Sequence, residues 1–229
     1  MVTLVGTLSG PVVVRVLSSA KIGTSSWRYY VDQAPCRASD YYLGHDQDLG
    51  RWDGRGLDKL GLQRGAAVTE QQLEALFGRA LHPTTGERLG RAWRSDGVTG
   101  FDLTFSAPKS VSALHAMART LVLQGTAQQL NLLDDEHVLA ERPRGSGAGS
   151  AALVAAAHDA ASRAALAYLD THAGLSRRGT DGTEQIGTGG FAVAMFTHHT
   201  SREGDPQLHT HALLLNKVQC TDGTWRTLD

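Results

Sequence analysis

The sequence predicts an α/β fold in which a mostly antiparallel β-sheet is flanked by helices. Helical segments alternate along the chain with short strands of the kind found in hairpins. Residues 101–105 alternate strictly between apolar and polar, and two strand-like segments, residues 191–198 and 209–218, enclose a polar loop broken by Gly and Pro. Strands joined by a short loop pair antiparallel, and helices placed between them are expected to pack on the sheet.

Three elements of the first half each have a local signal. A β-branched run predicts a strand over residues 12–17, and Ser and Thr at cap positions predict a helix that begins within 24–30. Residues 50–65 are rich in glycine among charged residues. The capping-box spacing of Thr69 and Gln72 predicts a helix that ends near residue 81.

The second half alternates helices with the strands of the sheet. The strand at 101–105 is followed by Ser-Ala-Pro, which caps a predicted helix over about 109–123. A Gly-, Ser- and Arg-rich stretch at 142–150 predicts a flexible linker, and the alanine-rich residues after it predict a helix over about 151–172. A glycine-rich loop is predicted at 180–190 and the hairpin at 191–218. A turn at 222–223 precedes a last short strand.

Composition excludes several classes of protein. The chain has 229 residues, 41% of them hydrophobic, and a formal net charge of −1. It can form a substantial core, but this charge is atypical of a nonspecific nucleic-acid binder. Its two cysteines form no CxxC motif, so neither a disulfide framework nor a zinc ribbon is expected. Gly, Pro and Arg interrupt the apolar residues near the N-terminus, so we expect no signal peptide, no membrane span and a cytoplasmic location.

The hairpin is the most informative part of the chain, because four of the ten histidines lie in residues 198–216. Period two places His209 and His211 on one face of their strand, and antiparallel pairing brings His198 beside them, whereas His199 is expected to point away. Cross-strand Cβ atoms lie about 5 Å apart, close enough for three imidazoles to share one ion. Three neutral imidazoles with open positions are typical of a reactive metal site. The alternative is a polar loop whose histidines cap strands or face solvent.

Asp102 and Thr104 share one face of the alternating strand. A buried carboxylate without a partner is costly. Asp102 is therefore predicted either to face water at a sheet edge or to orient a ligand histidine.

Four of the five tyrosines form two doublets, Tyr29-Tyr30 and Tyr41-Tyr42. Two doublets beside charged residues indicate exposed phenols rather than core packing. A phenol with a pKa of about 10 is a weak nucleophile unless a base or a metal-bound electrophile assists it.

Two weaker signals concern phosphates and bases. The helix start around Lys109 is a candidate phosphate seat, although many helices begin in this way without a ligand. Trp52, between Arg51 and Arg55, is a candidate for stacking on single-stranded bases.

Together these stretches resemble the conjugative relaxases of the TrwC/TraI type (MobF-like), within the HUH endonuclease superfamily. The motifs occur in the family's order: YY twice, then RWDGRGLDKLGL, GFDLTFSAPKSVS and HHTSREGDPQLHTHALLLN. The last two are long and specific. The resemblance implies the HUH relaxase fold over residues 14–229, incomplete at the C-terminus, with a leader at 1–13 and a flexible insertion around 124–150.

The resemblance also implies site- and strand-specific nicking of plasmid DNA at an origin of transfer. A tyrosine hydroxyl attacks the scissile phosphate and forms a 5′-phosphotyrosyl link, which a later attack reverses. Tyr29 would be the first nucleophile, Tyr41 the second, and Asp102 would orient a ligand histidine or assist the tyrosine. The implied metal ligands are His198, His209 and His211. The implied DNA contacts are Lys109 and Arg202.

The implied cofactor is a divalent ion, foremost Mg²⁺ or Mn²⁺, with Zn²⁺ as an alternative. The implied partners are single-stranded origin DNA and accessory relaxosome proteins. Two other readings stay open at this point: a catalytically inactive DNA-binding remnant, and an unrelated metalloenzyme with three histidine ligands. Nothing in the unrelated chemistries requires paired tyrosines, which argues against the second.

Overall fold

The computed structural model describes residues 4–7, 11–14, 16–29, 50–131 and 146–229. A five-stranded sheet lies at its centre, and neighbouring strands in it are antiparallel. In sheet order its strands are β3 (Leu17–Ile22), β5 (Gly100–Ser106), β9 (Pro206–Leu215), β8 (Val193–Thr200) and β4 (Arg51–Asp53). The mostly antiparallel α/β architecture predicted from the sequence is confirmed.

Smaller elements surround this sheet in the described ranges. Two-stranded ribbons are formed by β1 (Leu4–Thr7) with β2 (Pro11–Val14), β6 (Leu175–Arg178) with β7 (Glu184–Gly187), and β10 (Val218–Gln219) with β11 (Trp225–Arg226). The helices are α1 (Glu70–Leu73), continued by a π-helical turn over Glu74–Gly78, α2 (Lys109–Asn131) and α3 (Ser146–Ala173), with 3₁₀ turns at Arg55–Leu60 and Thr180–Gly182. Within these residues no helix is long and apolar enough to cross a membrane.

Each face of the central sheet has its own hydrophobic core, because side chains alternate along every strand. On the front face, Leu213 and Leu215 of β9 belong to one buried cluster with Trp52 and Phe77. On the opposite face, which we call the helix face, α2 and α3 pack against β9, and Leu166 of α3 belongs to a second cluster. The central sheet contributes Phe105, Val193, Met195, Ala212 and Leu214 to that second cluster.

Trp52 anchors the front core and is fully buried. Its indole N–H donates to Gln72 Oε1 at 2.8 Å, and the same oxygen accepts from the backbone N–H of Thr69 at 3.0 Å. Thr69 Oγ1 in turn accepts from the backbone N–H of Gln72, so the predicted capping box is present. The prediction that Trp52 stacks on bases is wrong, because the indole lies wholly within the core.

Two predictions of local structure need correction. The β-branched run at 12–17 does not form one strand: β2 pairs with β1, whereas β3 joins the central sheet. Propensity favours an extended backbone but does not choose its partner. The glycine-rich stretch at 180–190 contains strand β7, because Gly179 and Gly182, with φ of 83° and 65°, form the connection from β6.

Part of the predicted linker is helical. α3 begins at Ser146, so part of the stretch at 142–150 continues the alanine-rich helix instead of separating it. α2 extends to Asn131. Both ends of the predicted insertion at 124–150 are therefore helical, and residues 132–145 lie outside the described residues.

Leu213 tests the front core, because its side chain is fully buried there. We expect Leu213→Ala to lower the free energy of unfolding by about 2–5 kcal/mol, through lost burial and the cavity that remains. Chemical denaturation measures this change. Leu121→Ala on α2 is the matched control, since that side chain is 61% exposed, and it should change stability by no more than about 0.5 kcal/mol. Equal losses for both variants would contradict this assignment of the core.

Candidate functional site

Three histidines meet on the front face, at the turn end of the β8–β9 hairpin. His198 lies directly opposite His209, and the next position of β9 on that face is His211. One nitrogen from each ring can be chosen so that all three lie within 4.8 Å of one another. The ring centroids are 5.1 to 5.3 Å apart. Antiparallel pairing and period two therefore assemble the triad that the sequence places on this face.

A tight turn closes the hairpin beside the triad. The backbone N–H of Ser201 donates to the carbonyl of Asp205, and the Ser201 hydroxyl accepts from the backbone N–H groups of Glu203 and Asp205. Gly204 supplies the left-handed backbone, with φ of 87°. The turn is thus held by its own hydrogen bonds, and it carries Arg202.

Asp102 is buried on β5, with 6% of its surface exposed, and contacts the triad from the neighbouring strand on the same face. Its Oδ2 lies 2.8 Å from Nδ1 of His211, and Thr104 Oγ1 donates to its Oδ1 at 3.3 Å. A carboxylate at Nδ1 holds the proton there and leaves Nε2 of His211 as the unprotonated nitrogen. His209 has the same arrangement with a different partner, because its Nδ1 lies 3.0 Å from the carbonyl of Gln207.

Burial keeps two of the histidines neutral. Desolvation, followed by the neighbouring imidazoles, lowers the pKa of His198 to about 4. Desolvation also lowers the pKa of His209. A neutral imidazole is the form that coordinates a metal, so at neutral pH the donor set fits a divalent cation without proton release from these two rings.

Tyr29, from a distant part of the sequence, contacts the turn that closes the β8–β9 hairpin. Its hydroxyl accepts a hydrogen bond from the guanidinium of Arg202, and Cζ of Arg202 lies 5.2 Å from the centre of its ring. The phenol is 37% exposed. Tyr29 is therefore accessible and attached to the turn that joins the two histidine strands. Tyr30 and the second doublet, Tyr41-Tyr42, lie outside the described residues.

Lys109 approaches the same turn from the first residue of α2. Its Nζ lies 3.6 Å from Oδ2 of Asp205, and both side chains are mostly exposed. The ion pair contributes little stability in water. It does place an ammonium group beside the turn; the role of Lys109 at a phosphate stays a prediction.

Several polar residues on the helix face, behind the triad, were not predicted. His158 Nε2 lies 3.0 Å from Thr210 Oγ1, and His199 stacks on His115 with ring centroids 5.0 Å apart. Burial lowers the pKa of His199 to about 3, and its Nδ1 has no hydrogen-bond partner among the described residues. A histidine in an alanine-rich helix, outside any recognised motif, gives no sequence signal, so His158 was not singled out.

Known proteins share this arrangement of elements. The sequence profile of the TrwC relaxase family matches residues 24–132 and 145–229. The chain is 33% identical over 217 residues to multifunctional conjugation protein TraI of Escherichia coli (strain K12), a match that covers 93% of this chain and 10% of TraI. The residues between the two matched segments fall within the predicted insertion.

Solved structures of TrwC have the same fold. A TrwC complex with oriT DNA aligns with a TM-score of 0.64 at 29% identity. A metal-bound TrwC complex with oriT DNA aligns with a TM-score of 0.62 at 32% identity, and both alignments cover 93% of this chain and 61% of TrwC. A third complex, with a 27-mer DNA that comprises the recognition hairpin and the cleavage site, aligns with a TM-score of 0.58 at 28% identity. The chain thus spans about a tenth of TraI and about three fifths of the solved TrwC chains.

The low pKa of His198 predicts loss of stability in acid. An unfolded histidine takes up a proton near pH 6.5, as a rough reference value, but folded His198 does so only near a pKa of about 4. Between these values the unfolded state binds more protons, so the free energy of unfolding falls as pH falls. Urea denaturation of chelator-treated protein should show a slope of at most about 1.4 kcal/mol per pH unit for each such proton.

His198→Asn should reduce that slope, because it removes one of the buried imidazoles that unfolding exposes. His172→Asn is the matched control, since His172 is exposed near the end of α3. Identical slopes for wild type and His198→Asn would show that burial of His198 does not contribute.

Proposed function

Because the chain belongs to the TrwC relaxase family, we propose that it nicks and rejoins one strand of plasmid DNA at an origin of transfer, in a metal-dependent reaction through a 5′-phosphotyrosyl intermediate. One observation carries this proposal: Arg202, on the turn that joins the histidine strands, holds the hydroxyl of Tyr29. A candidate nucleophile thus contacts the turn of the hairpin that carries the candidate metal site. Membership of this family also removes the alternative of an unrelated metalloenzyme.

His198, His209 and His211 would hold the metal. Three protein ligands leave coordination positions open, as reactive metal sites require. A divalent cation there would supply Lewis-acid polarisation of the scissile phosphate and a template for its oxygens. Imidazole nitrogen suits Zn²⁺ and other transition ions better than it suits Mg²⁺, which prefers oxygen ligands. The donor set therefore favours Mn²⁺ or Zn²⁺ over Mg²⁺.

Tyr29 would be the first nucleophile. Its hydroxyl oxygen bonds to phosphorus while the bond from phosphorus to the 3′ oxygen breaks. The phenolic proton is lost, and the departing 3′ oxygen takes up a proton to become a hydroxyl. Arg202 holds the phenol in one orientation before the attack, and ordering the attack geometry can lower the barrier by several kcal/mol. Arg202 lies on the turn, and Lys109 lies beside it. We assign these two cations to contacts with the DNA backbone.

Asp102 would act through His211 rather than on the phosphate. Its hydrogen bond to Nδ1 supports the orienting role over direct assistance to the tyrosine. Rejoining is the reverse reaction, in which a 3′-hydroxyl attacks the phosphotyrosine and releases the phenol. Tyr41, outside the described residues, would serve a second transfer. We further propose that the protein is cytoplasmic and that its partners are single-stranded origin DNA and accessory relaxosome proteins. Residues 14–229 would form the relaxase domain, after a leader at 1–13.

The metal ligands can be tested by calorimetry with Zn²⁺, Mn²⁺ and Mg²⁺. We expect affinity to fall in that order, and His209→Ala or His211→Ala to reduce it sharply and abolish nicking in a folded protein. Asp102→Asn should weaken binding by about 10- to 100-fold, because it removes only the orienting carboxylate. His172→Ala is the control. Undiminished metal binding in a His209→Ala, His211→Ala double variant would contradict the site.

The nucleophile can be tested by trapping the covalent adduct with a single-stranded origin oligonucleotide. We expect Tyr29→Phe to eliminate the first adduct, and Tyr41→Phe to permit it but impair a later strand transfer. Arg202→Met should slow adduct formation more than Arg202→Lys, which retains a cation. Tyr168→Phe is the control, because that phenol is 65% exposed on α3.

Peptide mapping of the trapped adduct distinguishes the candidates. DNA attached to Tyr41 or Tyr42 after a first cut would overturn the assignment of Tyr29. Origin binding without an adduct on any tyrosine would instead favour the inactive DNA-binding remnant.

A further inference from the structure

A short polar chain crosses from α3 to the two histidine strands on the helix face. His158 Nε2 lies 3.0 Å from Thr210 Oγ1, and Thr210 Oγ1 lies 3.0 Å from Thr197 Oγ1 on the neighbouring strand. Thr210 is fully buried. Thr197 and Thr210 are opposite each other in the β8–β9 ladder, next to the pair His198–His209 on the side away from the turn.

The ladder is irregular beside the triad. The pairing of His198 with His209 is regular, but the register shifts between His198 and Thr200. Beyond that irregularity a single pair, Thr200 with Pro206, precedes the turn, so contacts elsewhere in the sheet must also hold the register. A slip of one residue would turn every side chain of β9 to the other face and take His209 and His211 away from the front.

The polar chain opposes such a slip. In a slipped strand an imidazole would replace the hydroxyl of Thr210, in a space that is closed to solvent and fits a threonine. His158 Nε2 and Thr197 Oγ1 would lose their present partner, and a buried polar group without a partner is costly. Two valines at these strand positions would pack equally well but would not distinguish the registers as sharply.

A second helix holds β9 on the other side of His209. The backbone N–H of Leu208 donates to Ser112 Oγ of α2 at 3.0 Å, and the Leu208 carbonyl accepts from the backbone N–H of Ala107 at 2.9 Å. Leu208 is fully buried. Strand β9 is therefore attached to the helical layer both immediately before and immediately after His209.

We propose that His158 is a positioning residue, which acts through Thr210 and Thr197 to fix the register in which the three histidines converge. This inference rests on the metal site proposed above. It assigns a role to a polar cluster, centred on the buried Thr210, whose members are not among the proposed metal ligands or DNA contacts. The helix layer would thus set the metal geometry from the opposite side of the sheet.

The experiment uses Co²⁺ alone as the probe, because Co²⁺ accepts imidazole ligands and its visible absorption reports coordination geometry. We expect Thr210→Val and His158→Leu each to weaken Co²⁺ binding by about 10- to 100-fold, in the range seen for residues that orient metal ligands, and to shift the absorption bands. Thr210→Ser keeps the hydroxyl and should restore both the affinity and the spectrum. His172→Leu, on the same helix, should change neither.

The double variant His158→Leu, Thr210→Val guards against simple unfolding, because it removes both partners of the His158–Thr210 contact, and only the half-buried Thr197 hydroxyl then loses a partner. It should fold, as judged by circular dichroism, and still show weak binding with an altered spectrum. Folded variants that bind Co²⁺ with wild-type affinity and an unchanged spectrum would overturn the positioning role. Wild-type protein that binds no Co²⁺ would overturn the metal site itself, and with it the role of His158.

Discussion

The pairing of β8 with β9 is the constraint on which the rest of the site depends. It sets His198 opposite His209, and it determines which residues of β9 share that face. It also fixes where the connecting turn projects, and hence where Arg202 meets Tyr29. Asp102 then contributes from the other neighbour of β9, because β5 pairs with β9 so that Thr104 lies opposite His211. A change of register would remove all of these relations together.

The front face of β9 changes from apolar to polar without a gap. Leu213 and Leu215 belong to the front core, whereas His209 and His211 lie nearer the turn on the same face. Phe196, opposite His211, is itself a member of the core. The imidazoles therefore rest on an apolar wall, which explains why desolvation is the largest influence on the pKa of His198 and His209. The core gives the site its rigidity as well as its low polarity.

Sequence reasoning succeeded where chemistry depends on short-range periodicity. The shared face of His209 and His211 follows from period two, and the need of a strand carboxylate for a partner pointed from Asp102 toward a histidine. It failed where contacts are long-range and carry no pattern. His158 and Thr210 are 52 positions apart on a helix and a strand, and neither neighbourhood is unusual. Trp52 was misplaced because neighbouring arginines indicated an exposed ring, while its burial depends on packing against β8 and α1.

The strand order has a consequence for protein synthesis. β9 lies in the middle of the central sheet, between β5 and β8, yet it is the last of the five strands in the sequence. During translation more than a hundred residues are added after β5 before its second neighbour, β9, is complete, since Phe101 pairs with Leu214. The histidines, the carboxylate and the tyrosine cannot meet earlier. A nascent chain therefore acquires its complete site in a single late event, when β9 inserts between strands that are already made.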